Sequence, residues 1–320
     1  MEELTKKNMA GDIFRKFGIV IALAILFIVF SAITNAFFTP ANLLTILVQT
    51  SINILLAIAT TFIVLTGGID LSSGSVLAIA GVVFAMFAKE VDGVPEYPVV
   101  VPVVMGILVG LLFGLFNGVI VAKAKVAPFI VTLGTMTIAR GAALLLADGR
   151  PVSGMAQGFK DFAGKSPLGL PNIVIVMIIM AVIFTFILTK TKFGRYVYAI
   201  GGNEEAARAS GIATSNIKLV VYTMAGAIIG LAGVLQACRI NVGQPNVGQG
   251  YEMNAISAVV IGGTSLSGGV GSMWGTLIGA FIIGILNNGL DMLGVSSYWQ
   301  QVVSGAIIIG AVMMDRTNKK

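Results

Sequence analysis

Residues 17–37 read FGIVIALAILFIVFSAITNAF and contain no Asp, Glu, Lys or Arg. A helix of about 20 such residues is long enough to cross the hydrocarbon core of a bilayer, which is about 30 Å thick. The same character continues along the chain, because Asp70 is the one charged residue from position 17 to position 88, and Asp291 is the one from 253 to 314. The sequence therefore predicts a protein that crosses a membrane several times.

The composition of the whole chain supports this prediction. Of its 320 residues, 57% are hydrophobic and 11% are charged, and the mean hydropathy is +0.97. Soluble domains carry about 25% charged residues, so a water-soluble fold would lack the polar side chains to cover its surface. The chain has no histidine and a single cysteine, Cys238, which excludes histidine-based catalysis, histidine metal ligands and an intrachain disulfide. We expect no catalytic residue, no metal and no cofactor.

Apolar segments divide the chain into ten predicted transmembrane helices within one domain, residues 1–320. We expect an all-α fold in which some of these helices are broken at glycine pairs. The predicted segments are 17–37, 43–65, 71–88, 98–122, 127–147, 171–189, 218–238, 252–264, 272–290 and 297–314.

The distribution of basic residues predicts the orientation. Ten crossings place both termini on the same side of the membrane. If that side is the cytoplasm, 14 Lys and Arg residues lie in cytoplasmic segments and 5 lie in external ones, as the positive-inside rule requires. Residues 1–16 are then a cytoplasmic tail. The net charge of +6 follows from this topology, and we expect no nucleic-acid partner.

Glycines recur at four-residue spacing on several predicted helices. Small residues at this spacing let two helix backbones approach closely in lipid, so we interpret them as packing faces. Whether the longest such face packs within one chain or against a second copy stays open at this point. The spacing occurs at Gly106, Gly110, Gly114 and Gly118, at Gly226 and Gly230, and at Gly275 and Gly279.

Two segments share the pattern G-G-x-x-L-S-x-G, namely GGIDLSSG at 67–74 and GGTSLSGG at 262–269. Paired glycine-interrupted segments often indicate a transport route, because non-helical backbone at membrane depth must be buried in protein or line a water-filled cavity. We expect both segments to lie close together and to flank the route of a polar solute. The alternative is a pair of tight turns between helices, with Asp70 capping a helix that begins near Leu71. The residues predicted to line the route are Asn53, Asp70, Ser72, Ser73, Asn117, Asn254, Thr264, Ser265, Ser267 and Asn287.

One apparent nucleotide motif is rejected. Residues 164–166 read GKS, but a phosphate-binding loop needs a glycine five positions before Gly164, where the sequence has Phe159. We therefore expect this chain to bind no nucleotide by that route.

Residues 190–218 form the long cytoplasmic loop of this topology, and positions 192–218 read KFGRYVYAIGGNEEAARASGIATSNIK. The stretch 204–210 is rich in helix formers, with Asn203 suited to cap its start and Gly211 suited to end it. The acidic residues lie at its beginning and Arg208 lies near its end, which matches the helix dipole. The loop therefore predicts a short helix on the membrane surface.

This loop also resembles a known family. Glu205-Ala206-Ala207, followed after three residues by Gly211, is similar to the EAA loop of ABC importer permeases, although it lacks the Leu-Pro that closes the fuller motif. Three longer strings resemble the ribose and monosaccharide branch of that family: FGRYVYAIGGNEEAARASGI at 193–212, GYEMNAISAVVIGGTSLSGG at 250–269 and NNGLDMLGVSSYWQ at 287–300. Together with GGIDLS at 67–72, they extend the resemblance over about residues 20–315.

The resemblance implies a permease subunit in a bacterial cytoplasmic (inner) membrane, in contact with lipid. In such importers two permease chains, here expected as a homodimer, form the pathway for a sugar. An ATPase, often with both domains in one chain, docks on the cytoplasmic loops, and an extracytoplasmic sugar-binding protein delivers the solute. The residues expected to contact the ATPase are Gly202, Asn203, Glu204, Glu205, Ala206, Ala207, Arg208 and Gly211.

The polar segment Asn241–Tyr251 is external in this topology, and we expect Gln244, Gln249 and Tyr251 to contact the binding protein. Ribose is the solute that the resemblance favours, with another pentose, a hexose or a related polyol as the alternative. The alternative class is an ion-coupled secondary transporter, which usually needs ionisable groups within the membrane. Asp70, Arg140 and Asp291 are the charges within or at the edges of the predicted spans away from the large loops.

Overall fold

The computed structural model describes residues 2–164 and 169–317. In these residues the chain forms thirteen helices and one two-stranded antiparallel hairpin. The elements are α1 (Glu2–Ile33), α2 (Pro40–Leu65), α3 (Ser73–Phe87), β1 (Glu90–Val91), β2 (Val94–Pro95), α4 (Val100–Ala122), α5 (Pro128–Leu146), α6 (Gln157–Phe162), α7 (Asn172–Lys190), α8 (Lys192–Gly202), α9 (Glu204–Ala209), α10 (Thr214–Ile240), α11 (Tyr251–Ile261), α12 (Met273–Met292) and α13 (Ser297–Thr317).

The prediction of a mostly helical membrane protein is confirmed. Six helices, α2, α4, α5, α7, α10 and α12, are long and apolar enough to cross a membrane. The apolar part of α1 (Gly18–Ile33), α3 and α11 are shorter. Each of the ten predicted segments falls largely on one helix, and α6, α8 and the hairpin were not predicted.

The hairpin is a small departure from an all-α fold. Asp92 and Gly93 join the strands with φ of 53° and 78°. Two consecutive positive φ angles are what a tight two-residue hairpin turn requires, and Asp-Gly is a favoured pair for it. The Asp-Gly dipeptide thus indicates a hairpin turn, which the positions of the apolar segments alone did not predict.

Helix starts follow ordinary capping chemistry. Thr39 accepts a hydrogen bond from the N–H of Asn42 at 3.3 Å, and Pro40 occupies the first position of α2. Ser272 accepts one from the N–H of Gly275 at 3.0 Å at the start of α12. These local signals fix where the chain enters α2 and α12, whereas among the described residues α4, α5, α7 and α10 begin without a side-chain capping bond.

Helix α2 lies at the centre of the core. Every residue from Thr50 to Leu65 except Asn53 is buried, and α2 packs against α7, α10, α11 and α12. The ring of Phe62 lies 5.8 Å from that of Phe184 on α7 and 6.3 Å from that of Phe193 on α8. Aromatic contacts therefore connect the centre of the bundle to α7 and α8.

The glycine face of α4 packs within the chain, against α10. A Cβ atom at Gly110 would overlap the carbonyl oxygen of Gly226, and one at Gly114 would overlap that of Tyr222. The spaced glycines of α12 also pack within the chain, since a Cβ at Gly275 would overlap the carbonyl oxygen of Gly262 at the end of α11. The question left open by the sequence is thus answered in favour of packing inside one chain.

Candidate functional site

The predicted surface helix is present as α9. The side chain of Asn203 accepts a hydrogen bond from the N–H of Ala206 at 2.9 Å and caps its start. At its end the N–H of Gly211 donates to the Arg208 carbonyl, and the N–H of Ile212 donates to the Ala207 carbonyl. Gly211 has φ +84°, so this is the left-handed glycine ending that the sequence predicted.

Most of the predicted coupling residues lie on an open surface. Ala207 is buried and Glu204 is half-buried, so these two face the rest of the chain. The remaining six are exposed to solvent: Gly202, Asn203, Glu205, Ala206, Arg208 and Gly211.

Glu204 fastens α9 to α10. Its carboxylate lies 2.5 Å from the Lys218 ammonium and 3.4 Å from the Arg208 guanidinium. Partial burial acts to raise the pKa of Glu204, but the hydrogen bond and the charge of Lys218 outweigh it, so the pKa lies below its usual value. Glu204 is therefore a positioning residue for α9 rather than part of its open face.

Helix α8 was missed by the sequence analysis. It follows α7 directly, with Thr191 accepting a hydrogen bond from the N–H of Gly194 at 3.2 Å. Val197 and Ile200 lie on the buried face of α8. The Tyr198 hydroxyl donates to the carbonyl of Gly271 at 3.0 Å. The helical spacing of these apolar residues was the signal that could have revealed the helix.

The end of α8 lies against both glycine-rich segments. The N–H of Gly269 donates to the carbonyl of Leu65 at 3.0 Å. A Cβ at Gly201 would overlap that same carbonyl, and one at Gly268 would lie 2.8 Å from the nitrogen of Gly67. The two segments, the end of α2 and helix α8 thus meet at one point.

The glycine pairs themselves follow helix ends. Gly67 and Gly68 come after α2 ends at Leu65, and the second pair comes after α11 ends at Ile261. This arrangement fits the alternative of turns between helices, and it does not confirm the prediction that glycine pairs break the helices.

Three of the predicted route residues form a buried polar network. The Asp70 carboxylate accepts hydrogen bonds from the N–H and the hydroxyl of Ser72, at 2.7 and 2.6 Å. The Asn117 amide donates to the Ser72 hydroxyl at 3.1 Å and accepts from Thr135 at 2.6 Å. Thr135 was not predicted. Since all four side chains are buried, the network joins the start of α3 to α4 and α5.

Asp70 does not cap α3 in the simple way expected. Helix α3 begins at Ser73, and its cap residue is Ser72, which makes no side-chain capping bond. Asp70 instead holds the turn that leads into the helix. The sequence placed the helix start two residues too early.

The other predicted route residues are spread over several environments. Ser73 and Thr264 are buried, and their hydroxyls, like the buried Asn53 amide oxygen, have no hydrogen-bond partner among the residues that the structure describes. Ser265 is buried and Ser267 is exposed. The last two, Asn254 on α11 and Asn287 on α12, are half-buried.

A neighbouring asparagine pair was missed. Asn42 and Asn288 exchange two amide hydrogen bonds of 3.0 and 3.1 Å, which join α2 to α12. The sequence-based prediction named the adjacent Asn287, which is half-buried, whereas Asn288 is the one that faces the interior.

The segment Asn241–Tyr251 runs along α3. At one end, Gly243 exchanges two backbone hydrogen bonds of 2.9 Å with Val152, and a Cβ on it would contact Ala85. At the other end, a Cβ on Gly248 would overlap the backbone of Gly74. Eleven helical residues separate these α3 positions, which corresponds to about 16 Å along the helix axis.

This course changes the interpretation of the expected binding-protein contacts. Gln244 lies beside Gly243, at the end of α3 that leads to the hairpin. Gln249 and Tyr251 lie at the opposite end of α3, beyond Gly248. The structure thus separates Gln244 from Gln249 and Tyr251 along α3, and the expectation that these three side chains contact a binding protein stays a prediction.

Arg140 on α5 holds the middle of this segment. Its Nη1 donates to the carbonyl oxygens of Pro245 at 2.5 Å and Val247 at 2.8 Å. Its charge also attracts Glu252 in the first turn of α11. The sequence marked Arg140 as an unusual charge within a span, but its role as a donor to backbone carbonyls required the three-dimensional structure.

Lys165 and Ser166 of the rejected nucleotide motif lie outside the residues that the structure describes. No inference about that motif is drawn from the structure.

Comparison with known proteins gives a consistent answer. Residues 42–312 match the family described as "Branched-chain amino acid transport system / permease component". The chain is 47% identical to the ribose import permease protein RbsC of Bacillus subtilis (strain 168), over 97% of this chain and 96% of that protein. It is 45% identical to the protein of the same name from Escherichia coli (strain K12), over 94% of this chain and 93% of that protein. It is 40% identical to the D-allose transport system permease protein AlsC of that strain, over 95% and 93%.

No solved structure matches the chain significantly. The family match covers most of the sequence, and the similarity to the permeases above extends over nearly the full length of both partners. The chain therefore belongs to the family of transport-system permease components, as a membrane protein with several spans.

Proposed function

We propose that this chain is the membrane-spanning subunit of an ATP-driven importer for ribose or a related monosaccharide. The observation that carries the proposal is the near-complete alignment with two ribose import permeases at 45–47% identity. The capped surface helix α9, with the EAA-like sequence on it, supports the same function independently, because it offers a dock for a partner on one side of the membrane.

The proposed topology has ten crossings with both termini in the cytoplasm. The six long apolar helices supply six of them. We assign the other four to α1, α3, α11 and α13, and the short helices α3 and α11 complete their crossings together with the irregular segments that precede them. The excess of basic residues in the segments then assigned to the cytoplasm supports this orientation in a bacterial inner membrane.

The ATPase partner docks on the open face of α9. Ala206 is exposed and small, so it permits close approach of another protein, and Arg208 and Glu205 supply charges beside it. ATP is hydrolysed by that partner, in one chain with two nucleotide-binding domains. A second copy of this permease completes the pathway, and an extracytoplasmic sugar-binding protein contacts the end that carries Gln244.

The proposed route passes the point where both glycine-rich segments meet. Buried hydroxyls there, on Ser73 and Thr264, are not engaged by the described residues. A sugar that leaves water needs such partners for its hydroxyl groups. Conformational change at α9 reaches this point through α8, whose Gly201 packs against Leu65 at the end of α2 and against Gly269 in the second segment.

The test uses the permease assembled with its ATPase and binding protein in proteoliposomes. We expect ribose to stimulate ATP hydrolysis and to accumulate inside when ATP is supplied. Arg208→Glu should abolish the stimulation while the permease still inserts and purifies as the parent does. Arg150→Glu reverses an exposed charge in the turn after α5 and serves as the matched control, with stimulation retained. Normal stimulation in Arg208→Glu would contradict the docking assignment.

The alternative of an ion-coupled transporter is tested with the permease alone. Ribose uptake driven by a proton or sodium gradient, without ATPase or binding protein, would favour it. We expect none, because the buried Asp70 is engaged by Ser72 and the half-buried Arg140 is engaged by backbone carbonyls. ATP-driven uptake of galactose or allose in place of ribose would change the assigned solute but not the assignment as an ATP-driven importer.

A further inference from the structure

Helix α11 is too short to cross a bilayer. Its eleven residues span about 16 Å, roughly half of the 30 Å hydrocarbon core. The preceding long helix, α10, ends at Ile240, so the ten residues 241–250 must cover the remaining distance without helical structure. Their course along α3, over about 16 Å from Ala85 to Gly74, accounts for that distance.

The N-terminal ends of α3 and α11 meet. A Cβ at Gly74, in the first turn of α3, would overlap both the Gly248 carbonyl and the Glu252 carboxylate. Glu252 in turn accepts a hydrogen bond from the N–H of Gly250 at 3.2 Å. One carboxylate thus lies beside the first turns of two helices, where the helix dipoles favour negative charge.

The two helices lead away from this point in opposite directions. Residues 241–250 accompany α3 toward its C-terminal end. Ile256 and Val260 of α11 pack against Leu71, which precedes α3. Helix α3 is therefore flanked by the irregular segment that leads into α11, and α11 is flanked by the irregular segment that leads into α3. Discontinuous helices of this kind mark the solute site in several transporter folds, since their ends offer unpaired backbone groups.

The irregular segment is only partly covered by the protein. Arg140 and Val152 satisfy several of its backbone groups. Asn246, Gln249 and Gly250 are nevertheless exposed. Polar side chains and non-helical backbone at membrane depth are tolerated beside a water-filled cavity and not beside lipid. The exposed side of the segment must therefore be hydrated.

We propose that the meeting point of α3 and α11 is a solute-binding station in the pathway, where Gln249 and Glu252 contact a neutral polyhydroxylated solute. The Gln249 amide and the Glu252 carboxylate supply acceptors for sugar hydroxyls, and the buried Ser73 hydroxyl at the start of α3, unpartnered among the described residues, supplies a further polar group. The proposal rests on the proposed function for the identity of the solute. It assigns to Gln249 a role inside the pathway instead of a contact with the binding protein.

The first experiment measures access to position 249. Gln249→Cys is made on a Cys238→Ala background, because the native thiol is the chain's single cysteine and is buried. In the complete transporter we expect a small, charged thiol reagent added outside to modify position 249, and saturating ribose to slow the reaction at least fivefold. Val182→Cys, 64% exposed on the apolar α7, should stay unmodified, and Arg150→Cys should react with no effect of ribose.

Three outcomes would overturn the proposal. The first is no modification of Gln249→Cys, which would mean that the segment faces lipid or protein. The second is modification by a bulky reagent together with crosslinking to the binding protein, which would make it an external contact. The third is modification that ribose leaves unchanged.

The second experiment separates binding from folding. Gln249→Leu and Glu252→Gln should each raise the KM for ribose uptake about two- to tenfold, the effect of one lost hydrogen bond, while both proteins elute as the parent does in size-exclusion chromatography. An unchanged KM in both variants would contradict the contact. If the parent complex moves no sugar with ATP, the proposed function fails, yet labelling of Gln249→Cys still reports whether the segment lines a hydrated path.

Discussion

The backbone N–H of Gly269 donates a 3.0 Å hydrogen bond to the carbonyl oxygen of Leu65, which joins the segment after α11 to the last residue of α2. Gly201, at the end of α8, is packed against both groups. The end of α2, the end of α8 and the segment after α11 thus share one contact. Only glycine fits at position 201, because a Cβ there would overlap the backbone of the other two stretches. Any movement of α8 must displace this contact or carry both segments with it.

Gly201→Ala is expected to disturb this contact. Its Cβ would overlap the backbone of Leu65 and Gly269, neither of which is a flexible side-chain end that could move aside. Overpacking of this kind typically costs about 1–3 kcal/mol. We expect a lower melting temperature in detergent and reduced ribose-stimulated ATP hydrolysis. Gly202→Ala is the matched control for stability, since a Cβ there meets nothing within 4 Å. Equal melting temperatures for the two variants would refute the tight contact.

Gly114→Leu tests the packing of α4 against α10. A Cβ at Gly114 would overlap the Tyr222 carbonyl and press on Gly226, so a leucine there must separate the two helices. We expect loss of the folded monomer, seen as aggregation in size-exclusion chromatography in detergent. Gly141→Leu on α5, where a Cβ meets no atom within 4 Å, should elute as the parent does. A Gly114→Leu protein that is folded but no longer dimeric would place this face between subunits instead.

The sequence predicted the long helices well, because an uncharged run of about 20 residues has one stable solution in a bilayer. It also predicted α9 with both of its caps, because Asn203 and Gly211 act on neighbouring residues. It did not reveal features that depend on distant partners. The course of residues 241–250 along α3 is set by Arg140, Val152 and Gly74, and nothing in the local sequence NVGQPNVGQG indicates these contacts.

Glu204 should show a pH-dependent contribution to stability. Its pKa in the folded chain lies below the usual value because of Lys218, so the ion pair stabilises the fold at neutral pH. That contribution is present above the ordinary glutamate pKa of about 4.3 and is lost as the pH falls through the lower folded-state pKa. Glu204 is about one-third exposed, so solvent screening limits the effect to less than about 1 kcal/mol.

The measurement compares the melting temperatures of the parent and Glu204→Gln in detergent. We expect the variant to melt lower at pH 7 and the two curves to converge below pH of about 4. Glu205→Gln, which removes an exposed carboxylate outside both ion pairs, is the control and should melt as the parent at either pH. A difference for Glu204→Gln that grows in acid would show that the sign of the pKa shift is wrong.

Asn117 is expected to stabilise the chain through its two buried hydrogen bonds. Its amide donates to Ser72 and accepts from Thr135. Asn117→Leu therefore leaves the buried Thr135 hydroxyl without its partner, while the Ser72 hydroxyl keeps its bond to Asp70. A buried hydroxyl left unpaired costs about 1–3 kcal/mol. We therefore expect a clear loss of thermal stability in detergent. Thr137→Val is the control on the neighbouring face of α5, because that exposed hydroxyl bonds only to its own helix, and a change within about 0.5 kcal/mol is expected.

A double-mutant cycle then shows whether the bond to Thr135 carries this effect. In Asn117→Leu the Thr135 hydroxyl is buried without a partner, and Thr135→Val removes that hydroxyl. The double variant should therefore be more stable than the sum of the two single effects predicts, by about 0.5–3 kcal/mol. The same variants should bind ribose with the parent KM if they fold, because Asn117 and Thr135 are only 2% and 1% exposed and face each other rather than a cavity. Additive effects on stability would show that the two side chains do not interact, and a raised KM in the folded Thr135→Val protein would place the network on the solute route.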